Sequence, residues 1–135
     1  RTGQSFPVLA SQTGDAKSIT RFYFDKVAVQ ASRGSHFYTL LDAEKSALAA
    51  LNPTNATTAG LPLNEGIDSW AFLPLVTGPG GSCASGQTPV YRLFRGNVRF
   101  PDDPNHRFTV NVATYNEYVA LGWDGEGVRF CVPSQ

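Results

Sequence analysis

Charge is scarce in this sequence. Asp, Glu, Lys and Arg make up 16% of its 135 residues, against about 25% in average soluble proteins. The surface must therefore lean on Ser, Thr, Asn, Gln and Gly. Net charge is zero, and with no basic excess to neutralise phosphates, nucleic acid is not an expected partner. No apolar run approaches the roughly 20 residues that a membrane-spanning helix needs, and no signal peptide is recognisable. Arg1 is not a natural start residue, which suggests a mature form or an excised domain.

Histidine and cysteine are equally sparse, with two of each. Cys83 and Cys131 form no CxxC, and two histidines without spacing partners make no zinc site, so no metal or other cofactor is expected. His106 with Asp103 is an incomplete metal site, while Asp102, Asp103 and Asn105 present loop oxygens able to bind Ca²⁺, a weaker expectation than no metal. There is no Gly-x-Ser-x-Gly elbow. Ser35 and His36 are sequence neighbours, whereas a catalytic Ser–His pair is defined by geometry and a third orienting group. Two readings of the cysteines remain, buried free thiols or one disulfide. Low charge and Thr/Ser/Asn/Gly-rich loops fit an extracellular protein and favour the disulfide.

What is present is repetition. Gly34-Ser35-His36-Phe37-Tyr38-Thr39 is answered by Pro104-Asn105-His106-Arg107-Phe108-Thr109, which places the two histidines 70 residues apart. Each copy follows an aromatic, arginine-bearing strand pattern: Thr20-Arg21-Phe22-Tyr23, then Tyr91-Arg92-Leu93-Phe94. Each precedes a helical pattern. Residues 19–29 alternate as a strand covered on both faces, and His36 to Thr39 completes a hairpin. Asp42 is placed to cap a helix whose inward face would carry Ala47, Leu48, Ala50 and Leu51, ending at Asn52-Pro53. A polar insertion follows, then a strand at Trp70-Ala71-Phe72-Leu73.

Residues 75–88, rich in Gly, Pro and Ser, read as a linker. Beyond them Val90 to Phe94 is a strand, residues 112–121 a helix with Tyr115, Tyr118, Val119 and Leu121 inward, Gly122 its C-terminal stop, and residues 126–130 the last strand. Thr2-Gly3-Gln4-Ser5-Phe6 matches Glu126-Gly127-Val128-Arg129-Phe130. Glu65-Gly66…Trp70-Ala71-Phe72 is a third version, with Ile67-Asp68-Ser69 inserted.

The expectation is an α+β domain of two quasi-repeats, each a β-hairpin, a helix and a closing strand, preceded by the last strand of an earlier repeat. The divisions are residues 1–18, an N-terminal strand and loop; 19–74, the first repeat; 75–88, the linker; and 89–135, the second repeat.

These residues resemble DUF5648, a bacterial secreted-protein repeat of unassigned function. The resemblance is carried by the Tyr/Phe-Arg strand, His-Phe-Tyr-Thr, an Ala-Glu helix, Leu121-Gly122-Trp123, and Gly127-Val128-Arg129-Phe130-Cys131-Val132-Pro133. Arg1-Thr2-Gly3-Gln4-Ser5-Phe6 resembles the end of a preceding unit. The resemblance implies an extracellular or cell-surface location at or near the C-terminus of a larger polypeptide, and no catalytic residue. The chain departs from the family pattern at residues 52–69, where a polar insertion replaces a short Trp-bearing connection.

Aromatic edges beside Asn, Asp and Arg can stack on and hydrogen-bond sugars, and repeated weak sites gain by avidity. The candidate ligand residues are His36, Tyr38 and Arg21 in the first repeat, and His106, Arg92, Asn105 and Trp123 in the second. The bland alternative makes both histidines structural hydrogen-bonders and pairs Arg21 with Glu65 and Arg92 with Glu126 inside the fold. The leading expectation is a non-catalytic module binding glycan or cell-envelope material. The alternatives are a structural or secretion-related terminal domain without a ligand, and a small secreted hydrolase using a carboxylate pair.

Overall fold

The computed structural model describes residues 5–25, 34–96 and 104–135. The far end of the first expected strand up to Val29, most of the N-terminal strand, and Asp102 and Asp103 lie outside them. The order of elements is β1 (Lys17–Phe24), β2 (Ser35–Thr39), α1 (Asp42–Leu51), β3 (Pro62–Ala71), β4 (Gln87–Arg95), β5 (Asn105–Thr109), α2 (Val112–Ala120) and β6 (Asp124–Pro133). This is a mixed α+β architecture of two three-stranded antiparallel sheets, ordered β2-β1-β3 and β5-β4-β6. No helix among the described residues is long and apolar enough to cross a membrane.

The pairing registers of the two sheets correspond. Thr20 faces Thr39 and Arg21 faces Tyr38, while Tyr91 faces Thr109 and Arg92 faces Phe108. On the other side Thr20 faces Ile67, and Tyr91 faces Val128. Arg21 thus has the register of Arg92, His36 that of His106, and Ile67 that of Val128. Ile67-Asp68-Ser69 is therefore no insertion. The extra residues fall earlier, between α1 and β3, and the polar run from Asn64 to Ser69 is strand. Alternation did not reveal that strand because residues 64–68 are exposed, so no buried side chains mark its period.

Glycine sets the shape of both closing strands. Gly66 and Gly127 have φ of 89° and 73°, and the ladder shifts register beside each. These bulges turn the preceding Glu65 and Glu126 toward the arginine of the central strand. A Cβ at Gly66 would meet nothing, whereas one at Gly127 would overlap the backbone of Gly78.

That overlap arises from the presumed linker, which is bonded down along β6. Gly78 and Val128 exchange two backbone hydrogen bonds of 2.8 and 3.0 Å. Residues 75–82 fold back on themselves through Leu75, Val76 and Ser82. Cys83 and Cys131 form a disulfide across 48 residues with Cα atoms 5.9 Å apart. The chain-entropy view values such a loop at roughly 4 kcal/mol.

Hydrogen bonds join the two sheets. Phe72 and Cys131 exchange paired backbone hydrogen bonds of 2.9 Å, joining the end of β3 to β6. Where β2 approaches β5, Ser35 Oγ donates to Asn105 Oδ1 at 3.2 Å. Ile19, Leu40, Ala71, Val90, Phe130 and Val132 form the core cluster, with Phe6, Tyr38 and Phe108 packed against it. The expected N-terminal strand is reduced, among described residues, to one bridge between Leu9 and Trp70.

Both helices differ from the simple apolar reading. Leu41, not Asp42, occupies the N-cap of α1 and makes no side-chain cap. Thr39 Oγ1 accepts from the Leu41 amide at 3.0 Å, as Thr109 Oγ1 accepts from that of Asn111. The inward positions of α1 are Leu41, Glu44, Lys45 and Leu48, while Ala47, Ala50 and Leu51 are exposed. Lys45 Nζ reaches the Ser18 carbonyl at 2.8 Å. In α2, Tyr115 and Tyr118 turn inward, but Val119 and Leu121 are 41% and 60% exposed. Gly122 follows the helix with φ of 98°, as expected of a C-terminal stop.

The two bulge glycines separate backbone strain from crowding. Gly66→Ala is expected to cost about 1 kcal/mol through φ alone. Gly127→Ala, which also collides with Gly78, is expected to cost about 3 kcal/mol. Urea unfolding of the two variants measures both losses, and equal losses would contradict the strap contact.

Candidate functional site

The first cluster is buried. Arg92 is 3% exposed, and Leu93 beside it is fully buried, so the guanidinium must find partners inside the fold. Its Nε donates to Glu126 Oε2, which the Gly127 bulge presents. Its Nη1 and Nη2 donate to the two oxygens of Glu44 at 2.9 and 2.7 Å, a bidentate pair with α1 of the other sheet. The Phe37 ring lies 4.5 Å from the guanidinium carbon. Thr39 Oγ1 donates to Glu44 at 2.5 Å, and Arg129 Nη1 stands 3.7 Å from it.

Burial opposes ionisation of Glu44, but the hydrogen bonds from Arg92 and Thr39, with the charges of Arg92 and Arg129, outweigh it and hold the carboxyl below its ordinary range. Arg92 answers in kind. Burial disfavours its charge, yet Glu44 and Glu126 more than restore it.

The second cluster occupies the same register on the other sheet and is open. Arg21 Nε donates to Glu65 Oε1 at 3.0 Å, and Nη1 donates to Asp68 Oδ1 at 3.2 Å. The Glu65 charge leads in raising the Arg21 pKa above its usual value. His36 Nε2 lies 3.2 Å from the same Glu65 oxygen. The Tyr23, His36 and Tyr38 rings run in a row, with centroids 4.9 and 6.3 Å apart. Gly34 lets that row close up, since a Cβ there would overlap the Tyr23 ring. Burial, followed by the Asp68 charge, raises the Tyr38 pKa. The Arg21 and His36 side chains are 39% and 45% exposed.

The candidate residues therefore divide. Arg21, His36 and Tyr38 come together on one exposed face, joined by Tyr23, Glu65 and Asp68. Alternation of residues 19–24 already put Tyr23 and Arg21 on one side; Asp68 was hidden by its misplacement in an insertion. Arg92 belongs to the buried cluster. His106 is half-buried, stacked on Phe94 at 4.6 Å and edge-on to Phe37 at 4.7 Å. Burial, then the Arg92 charge, drives its pKa down to about 3. Asn105 accepts the bond from Ser35. Trp123 is 7% exposed, packed edge-to-face on Tyr118 at 5.0 Å and flanked by Arg107 at 5.4 Å. No group of His, Cys, Asp and Glu among the described residues is arranged to hold a metal ion. Both arginine–glutamate pairings expected from the sequence are present, and the disulfide is formed.

Part of the chain matches a family model. Residues 77–133 match DUF5648, a domain of unknown function. The match takes in the run from Thr77, the disulfide, β4, β5, α2 and all of β6, in agreement with the resemblance read from the motifs of the second unit; the motifs of the first unit and residues 1–6 lie outside it. No curated protein and no solved structure matches the chain.

Removing one partner of a buried ion pair strands the other. Glu44→Ala should lower stability by about 3–5 kcal/mol in denaturant unfolding, whereas Glu117→Ala on the exposed side of α2 should change it by less than about 0.5 kcal/mol. Added formate should recover part of the first loss. A Glu44→Ala protein as stable as wild type would refute the bidentate pair.

The depressed His106 pKa has a stability consequence with a definite sign. Its contribution is complete above the ordinary value of 6.5 and is lost as pH falls toward the folded value of about 3. Between pH 6.5 and 4.5, before Glu44 begins to matter, the slope should approach about 1.4 kcal/mol per pH unit. His106→Phe, which keeps a ring between Phe37 and Phe94, should flatten that slope. The measurement is urea unfolding at a series of pH values.

Proposed function

We propose that the chain is a non-catalytic binding module of a secreted protein, and that it binds glycan or cell-envelope material through the face of Arg21, Tyr23, His36 and Tyr38. The observation that carries this reading is the exposed His36 ring in a row with the half-buried Tyr23 and Tyr38 rings, beside hydrogen-bonding charged groups. Such rings offer apolar area with polar tips at little conformational cost, and a few fixed polar groups around an apolar platform give orientation. In this reading the two sheets with their helices are copies of one unit, divided as the sequence divides them, and residues 5–9 represent the end of a preceding unit within a larger polypeptide. The disulfide is consistent with an extracellular or cell-surface location.

A non-catalytic role is favoured by the state of the carboxylates. Glu44 and Glu126 are tied to Arg92, and Glu65 and Asp68 to Arg21. A carboxylate already engaged by a guanidinium is not free to act as the proton donor or nucleophile that glycoside hydrolysis needs.

Glycan-array and cell-wall pull-down measurements test the proposal. Wild type should bind at least one class of polysaccharide. His36→Ala and Tyr23→Ala should each weaken binding tenfold or more, and His106→Phe should leave it within twofold. Absence of binding to every glycan and cell-wall fraction would end this reading.

A further inference from the structure

At one register position the two arginine clusters carry opposite charge, and the difference bears on what the open face accepts. In sheet β5-β4-β6 the position is Arg129; in sheet β2-β1-β3 it is Asp68. Around Arg92 stand a second guanidinium from Arg129 and one carboxylate from Glu126. This arrangement is one positive charge in excess, and it receives a carboxylate, that of Glu44, in a bidentate grip. The molecule thus displays the ligand that this constellation selects. Around Arg21 stand two carboxylates, Glu65 and Asp68, and no second guanidinium among the described residues. Asp68 Oδ1 accepts a hydrogen bond from Arg21 Nη1 at 3.2 Å, the role that Glu44 plays for Arg92 Nη1 at 2.9 Å.

We infer that Asp68 is a specificity residue, which sets the open face to take neutral or amine-bearing sugars and to reject acidic ones. The inference rests on the glycan-binding reading above. A carboxylate, sulfate or phosphate approaching Arg21 finds its nearest donor already engaged and meets two like charges. A hydroxyl or an ammonium group meets acceptors instead: Glu65 Oε2 takes no part in the bonds from Arg21 and His36, which both end on Oε1. The His36 and Tyr38 rings supply the apolar contact in every case, so charge, not shape, makes the distinction.

The test uses the whole chain and three tetrasaccharides of differing charge: chitin tetramer, chitosan tetramer and tetragalacturonate. Wild type should bind one or both of the first two at least tenfold more tightly than the third, by calorimetry at low salt. Asp68→Arg recreates the Arg92–Arg129 constellation and should gain at least tenfold for tetragalacturonate while losing affinity for chitosan. Asp68→Asn, which keeps the side-chain shape, should gain several-fold and guards against a folding defect in the arginine variant. Tetragalacturonate binding by wild type equal to that of the neutral sugar overturns the inference. So does failure of both variants to gain.

Should wild type bind no sugar, the glycan reading falls alone. The charge assignment is then decided by acetate titration followed at the His36 ring protons. A response in Asp68→Arg that is absent from wild type supports it, and no response in either overturns it.

Discussion

A single buried guanidinium holds the two halves of this molecule in register. Arg92 sits on the central strand of one sheet, beneath the ring of Phe37 from the other, and reaches both Glu126 on its own closing strand and Glu44 on the far helix. A buried charge tolerates few arrangements, because any docking that leaves it unpaired costs several kcal/mol. Apolar contacts such as Phe37 on His106 or Tyr38 on Phe108 are more forgiving of sliding. The ion pairs therefore select one placement of sheet on sheet, and the apolar core stabilises the placement selected. The Gly127 bulge belongs to the same device, since it aims Glu126 and makes room for Gly78.

The open sheet carries the same parts in a different state. Arginine, histidine and glutamate recur at matching positions, but nothing among the described residues covers them as Phe37 and Glu44 cover Arg92. Asp68 completes the Arg21 environment from within the same sheet. One constellation has thus become an internal joint and the other a surface, and a single charge reversal between Arg129 and Asp68 accompanies the change.

Much of the fold was legible in the sequence because local signals agreed. The paired His and Thr positions, the aromatic strands and Gly122 located both hairpins and both helices to within a few residues. Three features were not legible. Residues 64–68 form an exposed run of strand, and with no buried side chains a period of two has nothing to mark it. The inward face of α1 carries Glu44 and Lys45, so a search for apolar stripes chose Ala47, Ala50 and Leu51 instead. The run from Thr77 to Gly86 has the composition of a loose linker, yet its hydrogen bonds to β6 depend on a partner some fifty residues later. For the site, the Arg21–Glu65 and Arg92–Glu126 pairings followed from matching positions. The opposite exposure of the two clusters did not, because it depends on which sheet is stacked on which.

The Cys83–Cys131 bond encloses β4, β5, α2 and most of β6 in one covalent ring. Pulling on the two ends of the chain would load the hydrogen bonds of Leu9 with Trp70 and of Phe72 with Cys131. It could not draw out the 48-residue span between the cysteines. At about 3.4 Å per extended residue, roughly 160 Å of contour length is withheld. Under tension the second sheet would behave as a short inextensible link, and the sheet that carries the open face would be the part that yields.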